Sequence, residues 1–267
     1  MYNELSTPAV IVDLDIAERN IARMAERLRA KGIAHRPHIK TTKSAYFVRK
    51  QLAAGAAGIT VAKLAEAETF VQLGIDNILV AYPIVGEDKL RRLEALRSKA
   101  SIVVTVDSME AAEGLSGVGM RSKQPVDVLI EVDGGLHRGG RQPGADTVDF
   151  ARAISALPGI RLKGIMGYFG TIYRNKDEEG FRKAAQHESQ VLRETASLLR
   201  AAGFCADIVS AGSFAVGPHV QLFGRGDGSS GWQLHFFRRV RGFHGARRRG
   251  RLRAARHRDG CQRAAAG

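Results

Sequence analysis

The densest chemistry in this 267-residue chain lies in Ala34-His35-Arg36-Pro37-His38-Ile39-Lys40-Thr41-Thr42-Lys43. A short extended segment meets a helix there that is expected to begin near Ser44, and strand ends are where α/β folds present side chains to a ligand. Lys40 is the candidate nucleophile. An amine set among other cations (Arg36, Lys43 and His38) and partly shielded from water has a lowered pKa, the condition for forming a Schiff base with a carbonyl. A solvated lysine closing a strand reads the same way in sequence, so composition alone leaves both readings open. His35 and His38 are three apart on an extended segment and point to opposite faces. At most one lines a pocket, and a paired metal site is not expected.

Other strand ends carry weaker signals. Ser210-Ala211-Gly212-Ser213 follows an apolar run, and small residues there expose backbone N–H groups that can cradle a phosphate, although Gly and Ser fill most such turns. In Gly134-Gly135-Leu136-His137-Arg138-Gly139-Gly140, Arg138 could meet an anion or a pyridine-type acceptor, or could be solvated on a flexible loop. Tyr168 could stack on a ring or simply edge a barrel. Asp107 and Asp133 end strands, a place where carboxylates commonly cap the next helix.

The elements that must position these residues alternate along the chain. Extended apolar runs stand at Thr7–Asp15, Ala34–Lys40, Gly58–Ala62, Asn77–Tyr82, Ile102–Asp107, Val126–Asp133, Leu162–Tyr168 and Ala206–Ser210. Helical periods fall at Ile16–Ala30, Lys63–Leu73, Glu87–Leu96, Met109–Leu115, Ala145–Leu157 and Glu178–Ala202. Strands alternating with helices imply a parallel sheet with right-handed crossovers, and near-continuous apolar strands such as Val126–Val132 suit a sheet covered on both faces. After the N-terminal run, seven such units predict a TIM-type (β/α)8 barrel, with a doubly wound open sheet as the alternative.

Length and composition fit one large domain. No apolar run approaches the ~18 residues that cross a bilayer, and Met1-Tyr2-Asn3-Glu4-Leu5 lacks the pattern of a secretory signal, so a cytoplasmic location and no membrane partner are expected. Cys205 and Cys261, distant and in unlike surroundings, offer neither a disulfide framework nor a cysteine metal cluster. The net charge of +14 belongs to one end: residues 220–267 hold 12 Arg, no Lys, two Asp and no Glu, or +10, whereas the other 219 residues carry 29 basic and 25 acidic side chains, or +4. A nucleic-acid-binding body is not expected, although an arginine arm of this kind could bind nucleic acid.

Five ordered stretches together resemble the fold-type III pyridoxal-phosphate enzymes with an alanine-racemase N-terminal-like barrel, and among them the D-threonine aldolase and D-serine dehydratase family. They are Thr7-Pro8 with Asp13-Leu14-Asp15 and Asn20-Ile21; Arg36 to Lys43; Ala62-Lys63-Leu64-Ala65-Glu66-Ala67-Glu68; Glu131 to Gly135 with Arg138-Gly139-Gly140; and Ser210 to Ser213. The resemblance covers about residues 5–219. It implies a lyase of D-β-hydroxy amino acids whose Lys40 carries pyridoxal 5'-phosphate as a Schiff base. His38, Arg138, Tyr168, Ser210, Gly212 and Ser213 would line the cofactor. A small amino acid would be the substrate, and a homodimer is possible for the intact family. A racemase on the same barrel, or a non-catalytic pyridoxal-phosphate carrier, uses the same lysine.

Two departures stand out. Phe214 occupies a place where the family usually has Thr, removing a hydroxyl that could reach the phosphate. The family also brings a divalent metal to its site through a His/Cys pair in a C-terminal β domain, and nothing after Pro218-His219 matches that pair. From Val220 no helical or strand period is sustained beyond a turn. Codons for Arg225 to Arg238 can be chosen so that a one-nucleotide shift gives a segment resembling the family's eighth strand. The expectation is therefore a barrel over 1–219 with seven recognisable strands and unpaired sheet edges, followed by an out-of-frame, poorly ordered tail over 220–267.

Overall fold

The computed structural model describes residues 5, 6, 8–223 and 231–234, Phe214 and 231–234 by their backbone. Its strands are β1 Ala34–His35, β2 Ile59–Val61, β3 Asn77–Val80, β4 Ser101–Val106, β5 Val126–Asp133, β6 Ile160–Tyr168, β7 Ile208–Ala211 and β8 Gly231–Leu234. All pair in parallel, in the order β1-β8-β7-β6-β5-β4-β3-β2. Past the end of β1, His38 bridges to Thr60 of β2, and the Thr60 N–H donates to the Pro37 carbonyl at 2.8 Å. The α/β barrel expected from the sequence is what the chain forms.

Helices α1 Leu14–Arg29, α2 Ala45–Ala53, α3 Leu64–Gln72, α4 Glu87–Arg97, α5 Met109–Arg121, α6 Ala145–Ser155 and α7 Glu178–Ala201 surround the strands. Their starts follow local chemistry. Asp13, Ser108 and Asp177 accept hydrogen bonds from Ile16, Ala111 and Gly180 N–H, satisfying donors that the first helical turn leaves open. Strand side chains alternate between two apolar regions. Val104, Val128, Ile130, Ile165 and Val209 join the helices in the outer core, whereas Leu79, Leu129 and Met166, with Ala81, Val103 and Ile208, form a smaller inner cluster. The inner alternation continues upward from Leu129 to Glu131 and Asp133, from Met166 to Tyr168, and from Ile208 to Ser210, so the polar residues at the strand tops stand on the lumen side. A register shift between β5 and β6 falls at Val128/Leu129. It uses Gly164, whose φ is +142° and whose added Cβ would lie 1.9 Å from the Ile208 carbonyl oxygen.

Two expectations change. Thr7–Asp15 is not a strand: residues 8–13 have no regular structure, and Leu14 already begins α1. An extended segment becomes a strand only beside a partner, and among the described residues none pairs with it. The seven strands read from the sequence are joined by β8, which lies between β7 and β1 and pairs with both. The edges of β7 and β1 that face β8 are occupied, whereas β1 and β2, at the two ends of the sheet order, pair among the described residues only at the His38–Thr60 bridge, so the barrel is incomplete there as expected. With four residues, β8 is too short for a periodic signal, and its backbone partners define it more than its side-chain pattern does. The rest of the expected tail lies outside the described residues.

Candidate active site

Lys40 does not end β1 directly. It lies in a 3-10 turn, Ile39–Thr41, and His38 caps that turn by accepting the Lys40 N–H on Nδ1 at 3.3 Å. Pro37 and the His38–Thr60 bridge tie the turn to β2. The amine, Nζ, stands 5.7 Å from the Tyr168 ring centroid, and the Arg138 guanidinium carbon 5.1 Å from the same ring. Two cations therefore share one aromatic ring at the ends of β1, β5 and β6, within the range at which a ring quadrupole attracts them. Lys40 stays open to solvent, yet its pKa is lowered, first by partial desolvation and then by Arg138, with Glu66 acting against them.

The source of that shift differs from the sequence expectation. Arg36 is buried and donates to the carbonyls of Ile59 and Asn77 at 3.5 and 3.4 Å, and Lys43 pairs with Glu66 at 3.2 Å. The cation that acts on Lys40 comes from a loop almost a hundred residues later in the chain. His35 is buried in β1, and burial lowers its pKa to about 4.

The β5–α6 loop is pinned. Asp133 Oδ1 accepts from the Gly135 and His137 N–H groups at 3.0 and 3.1 Å, and its Oδ2 lies 2.6 Å from His137 Nδ1. Burial pushes the Asp133 pKa upward, but the His137 and Gly135 hydrogen bonds outweigh it and leave a lowered value. Asp107 reaches across from β4 to accept the Gly140 N–H at 3.0 Å. Neither carboxylate caps the helix that follows it: Ser108 and Gly144 stand at those positions. Gly134 lets the loop lie against β6, since an added Cβ would be 2.5 Å from the Tyr168 carbonyl oxygen. Arg138 itself is exposed but rises from a fixed base.

One strand beyond Tyr168, β7 ends in Ser210 and Ala211, and Gly212 turns the chain with φ +117°. Ser210 and Ser213 are fully buried. Among the described residues the Ser213 hydroxyl has no hydrogen-bond partner, and it caps neither of the first N–H groups of the 3-10 stretch Phe214–Leu222. A buried hydroxyl left in this state at a strand end suits a ligand oxygen. The structure therefore brings Lys40, His38, Arg138 and Tyr168 together, and sets Ser210, Gly212 and Ser213 on the neighbouring strand end. This set fits a phosphorylated aromatic aldehyde: an amine of lowered pKa, a ring and guanidinium beside it, and an unmatched hydroxyl for the anion. Among the described residues no group of three or more His, Cys, Asp or Glu side chains is placed to hold a metal ion.

Two carboxyls at the site were not singled out from the sequence. Glu131 lies on the lumen side of β5. Burial first, then Asp107 and Asp133, raise its pKa to about 7 while Arg138 pulls it down. Glu188, on α7, is fully buried; one oxygen accepts the Gly212 N–H at 2.8 Å, and burial raises its pKa to about 8. Each had a legible signal. Glu131 interrupts an apolar strand, and Glu188 falls on the stripe Ala185, Leu192, Ala196, Leu199 that faces the core.

Residues 12–216 match the family model described as alanine racemase, N-terminal domain. The chain is 38% identical over 212 residues to the D-threo-3-hydroxyaspartate dehydratase of Delftia sp. (strain HT23), covering 78% of this chain and 55% of that protein. It is 31% identical over 208 residues to the D-threonine aldolase of Arthrobacter sp., with 78% and 55% covered. The crystal structure of D-threonine aldolase from Filomicrobium marinum superposes with a TM-score of 0.80 at 30% identity, over 87% of this chain and 62% of that one. The chain thus spans a little over half the length of the curated relatives it matches. No helix among the described residues is long and apolar enough to cross a membrane.

Proposed function

The chain belongs to the alanine racemase N-terminal domain family, and from that premise we propose that it is a pyridoxal-phosphate-dependent lyase of D-β-hydroxy amino acids, of the D-threonine aldolase or D-serine dehydratase type. The observation that carries this reading is the placement of the Lys40 amine and the Arg138 guanidinium over the Tyr168 ring, 5.7 and 5.1 Å from its centre. The resemblance of the relatives, a dehydratase and an aldolase, supports the reaction class.

Bound pyridoxal phosphate supplies an electron sink for charge that develops at the substrate's Cα. Lys40 holds the cofactor covalently. Its lowered pKa enlarges the neutral, nucleophilic fraction near pH 7, and His38 fixes the backbone from which it reaches. Tyr168 and Arg138 form one wall, with the guanidinium available to a carboxylate or a ring acceptor. The Ser213 hydroxyl takes a phosphate oxygen, with Ser210 and Gly212 shaping the loop. Glu131, on the lumen side of β5 beside Asp107, Arg138 and Asp133, can hold or release a proton near neutrality.

Incubation of the cofactor-loaded protein with D-threonine and with D-serine tests this. Glycine with acetaldehyde marks an aldolase, and a 2-oxo acid with ammonia marks a dehydratase; Lys40→Ala is expected to abolish either. Exchange of the α-proton of D-alanine with solvent, with both β-hydroxy substrates left intact, would overturn the lyase reading in favour of a racemase.

A further inference from the structure

The carboxyl of Glu188 sits behind the loop that the proposed function assigns to phosphate. Oε1 takes the Gly212 N–H at 2.8 Å, so that amide points back into the protein and not toward a ligand. Oε2 is buried and, among the described residues, has no hydrogen-bond partner. Among the described residues no cation offsets the burial. Among the described titratable groups on the elements packed against α7, Tyr168 of β6 interacts with Glu188. His219, in the Phe214–Leu222 stretch, faces Glu178 at 3.4 Å, and Lys163 of β6 faces Asp207 at 3.8 Å. On α6, Asp146 pairs with Arg141 and Asp149 with Arg152. Along α7 itself, His187 packs against the Phe169 ring, and Arg193 donates to the Ser189 hydroxyl at 3.5 Å. Tyr173 acts on Tyr168.

We infer that Glu188 is a positioning residue for the anion loop: as a neutral acid it holds Gly212 and leaves the Ser213 hydroxyl to a phosphate, and binding of a phosphate dianion is coupled to keeping that acid protonated. Two negative charges on opposite sides of one backbone turn, in a fully buried setting, repel with little screening. A dianion entering the loop while Glu188 is ionised must therefore bring a proton from solvent onto the carboxylate. The raised pKa of Glu188 places that exchange between neutral and mildly alkaline pH. By linkage, phosphate-dependent affinity falls by up to tenfold for each pH unit above the pKa of the free protein.

The inference rests on the phosphate reading of the loop, and pyridoxal serves as the comparator that separates the two. Dissociation constants for pyridoxal phosphate and for pyridoxal, measured by equilibrium dialysis from pH 7 to 9.5, share the titration of Lys40. Their ratio isolates the phosphate, which is a dianion above its second pKa of about 6. The expected ratio, the pyridoxal constant divided by the pyridoxal phosphate constant, is well above one at pH 7 and falls by about tenfold between pH 8 and 9.5 in the unaltered protein. Glu188→Gln keeps an oxygen for Gly212 and has no proton to lose, so its ratio is expected to stay high and flat. A ratio that is high but flat in the unaltered protein overturns the role of Glu188 alone. So does a fall that persists in Glu188→Gln. A ratio near one at pH 7 overturns the phosphate loop and this inference together. A flat profile of the unaltered protein overturns the role of Glu188 even if the variant does not fold, and Glu188→Asp, which keeps a titrating carboxyl, is then expected to retain the fall at a shifted pH.

Discussion

A titratable side chain is read from sequence as a surface group, and at this site buried carboxyls stand beside the exposed Lys40 and Arg138. Lys40 was singled out through the resemblance of Pro37-His38-Ile39-Lys40 to a family motif, since a solvated lysine closing a strand reads the same way. Glu131 and Glu188 were not singled out, although an interrupted apolar strand and an apolar helical stripe marked them, because spacing indicates a buried position and not the protonation state that follows from it. Burial also predicts how stability follows pH. His35 has its folded pKa held at about 4 against an ordinary 6.5, so the unfolded chain takes up the proton first and stability is lost as pH falls through that interval. Glu188 and Glu131 have folded values near 8 and 7 against an ordinary 4.5, so the unfolded chain releases their protons first and stability is lost as pH rises from about 4.5 through those values. Above about 6.5 the His35 contribution is level and the carboxyl slopes remain. The melting temperature is therefore expected to decline between pH 6.5 and 8.5, and to decline less in Glu188→Gln; thermal unfolding of both proteins across that range checks it. Equal slopes would mean that Glu188 is not protonated in the folded state.

At the scale of elements, the seven barrel strands after Thr7–Asp15 were readable because a strand covered on both faces must be apolar for most of its length. Boundaries moved by a residue or two at most helices, and α5 runs to Arg121 instead of Leu115 because the glycines at 114, 117 and 119 weaken the helical signal without breaking it. The N-terminal run failed for the opposite reason: its side chains favour extension, but a strand also needs a neighbour. β8 shows the converse, a strand set by its neighbours. Gln233 is in register with Ala34 on one side and Ser210 on the other. Gln233→Pro removes an amide hydrogen from this double ladder, in a position between two strands where proline is not tolerated. The expected result is a fall in melting temperature of about 5 °C or more with loss of cooperativity. An unchanged melting curve would show that β8 contributes nothing to closing the sheet.

For the whole molecule, the barrel turns distance along the chain into proximity. Lys40, Arg138, Tyr168 and Ser213 belong to four different βα units, and parallel strands ending on one face bring them to one rim. That convergence was foreseeable from the alternation of strands and helices, but the pairing of Lys40 with Arg138 in place of Arg36 or Lys43 depends on how the β5–α6 loop is pinned. The charge of the chain points elsewhere: the body is close to neutral, and the excess lies in residues 220–267, so the site's electrostatics come from a few local groups and not from the net charge. The central claim is that Lys40 is the residue that holds the cofactor. The most direct measurement is the absorbance spectrum of the protein with pyridoxal phosphate, before and after borohydride, followed by mass mapping of the labelled peptide. A band near the visible edge that is lost on reduction, with the label on Lys40, is the expected result; a label on another lysine, or none in folded protein, would contradict it.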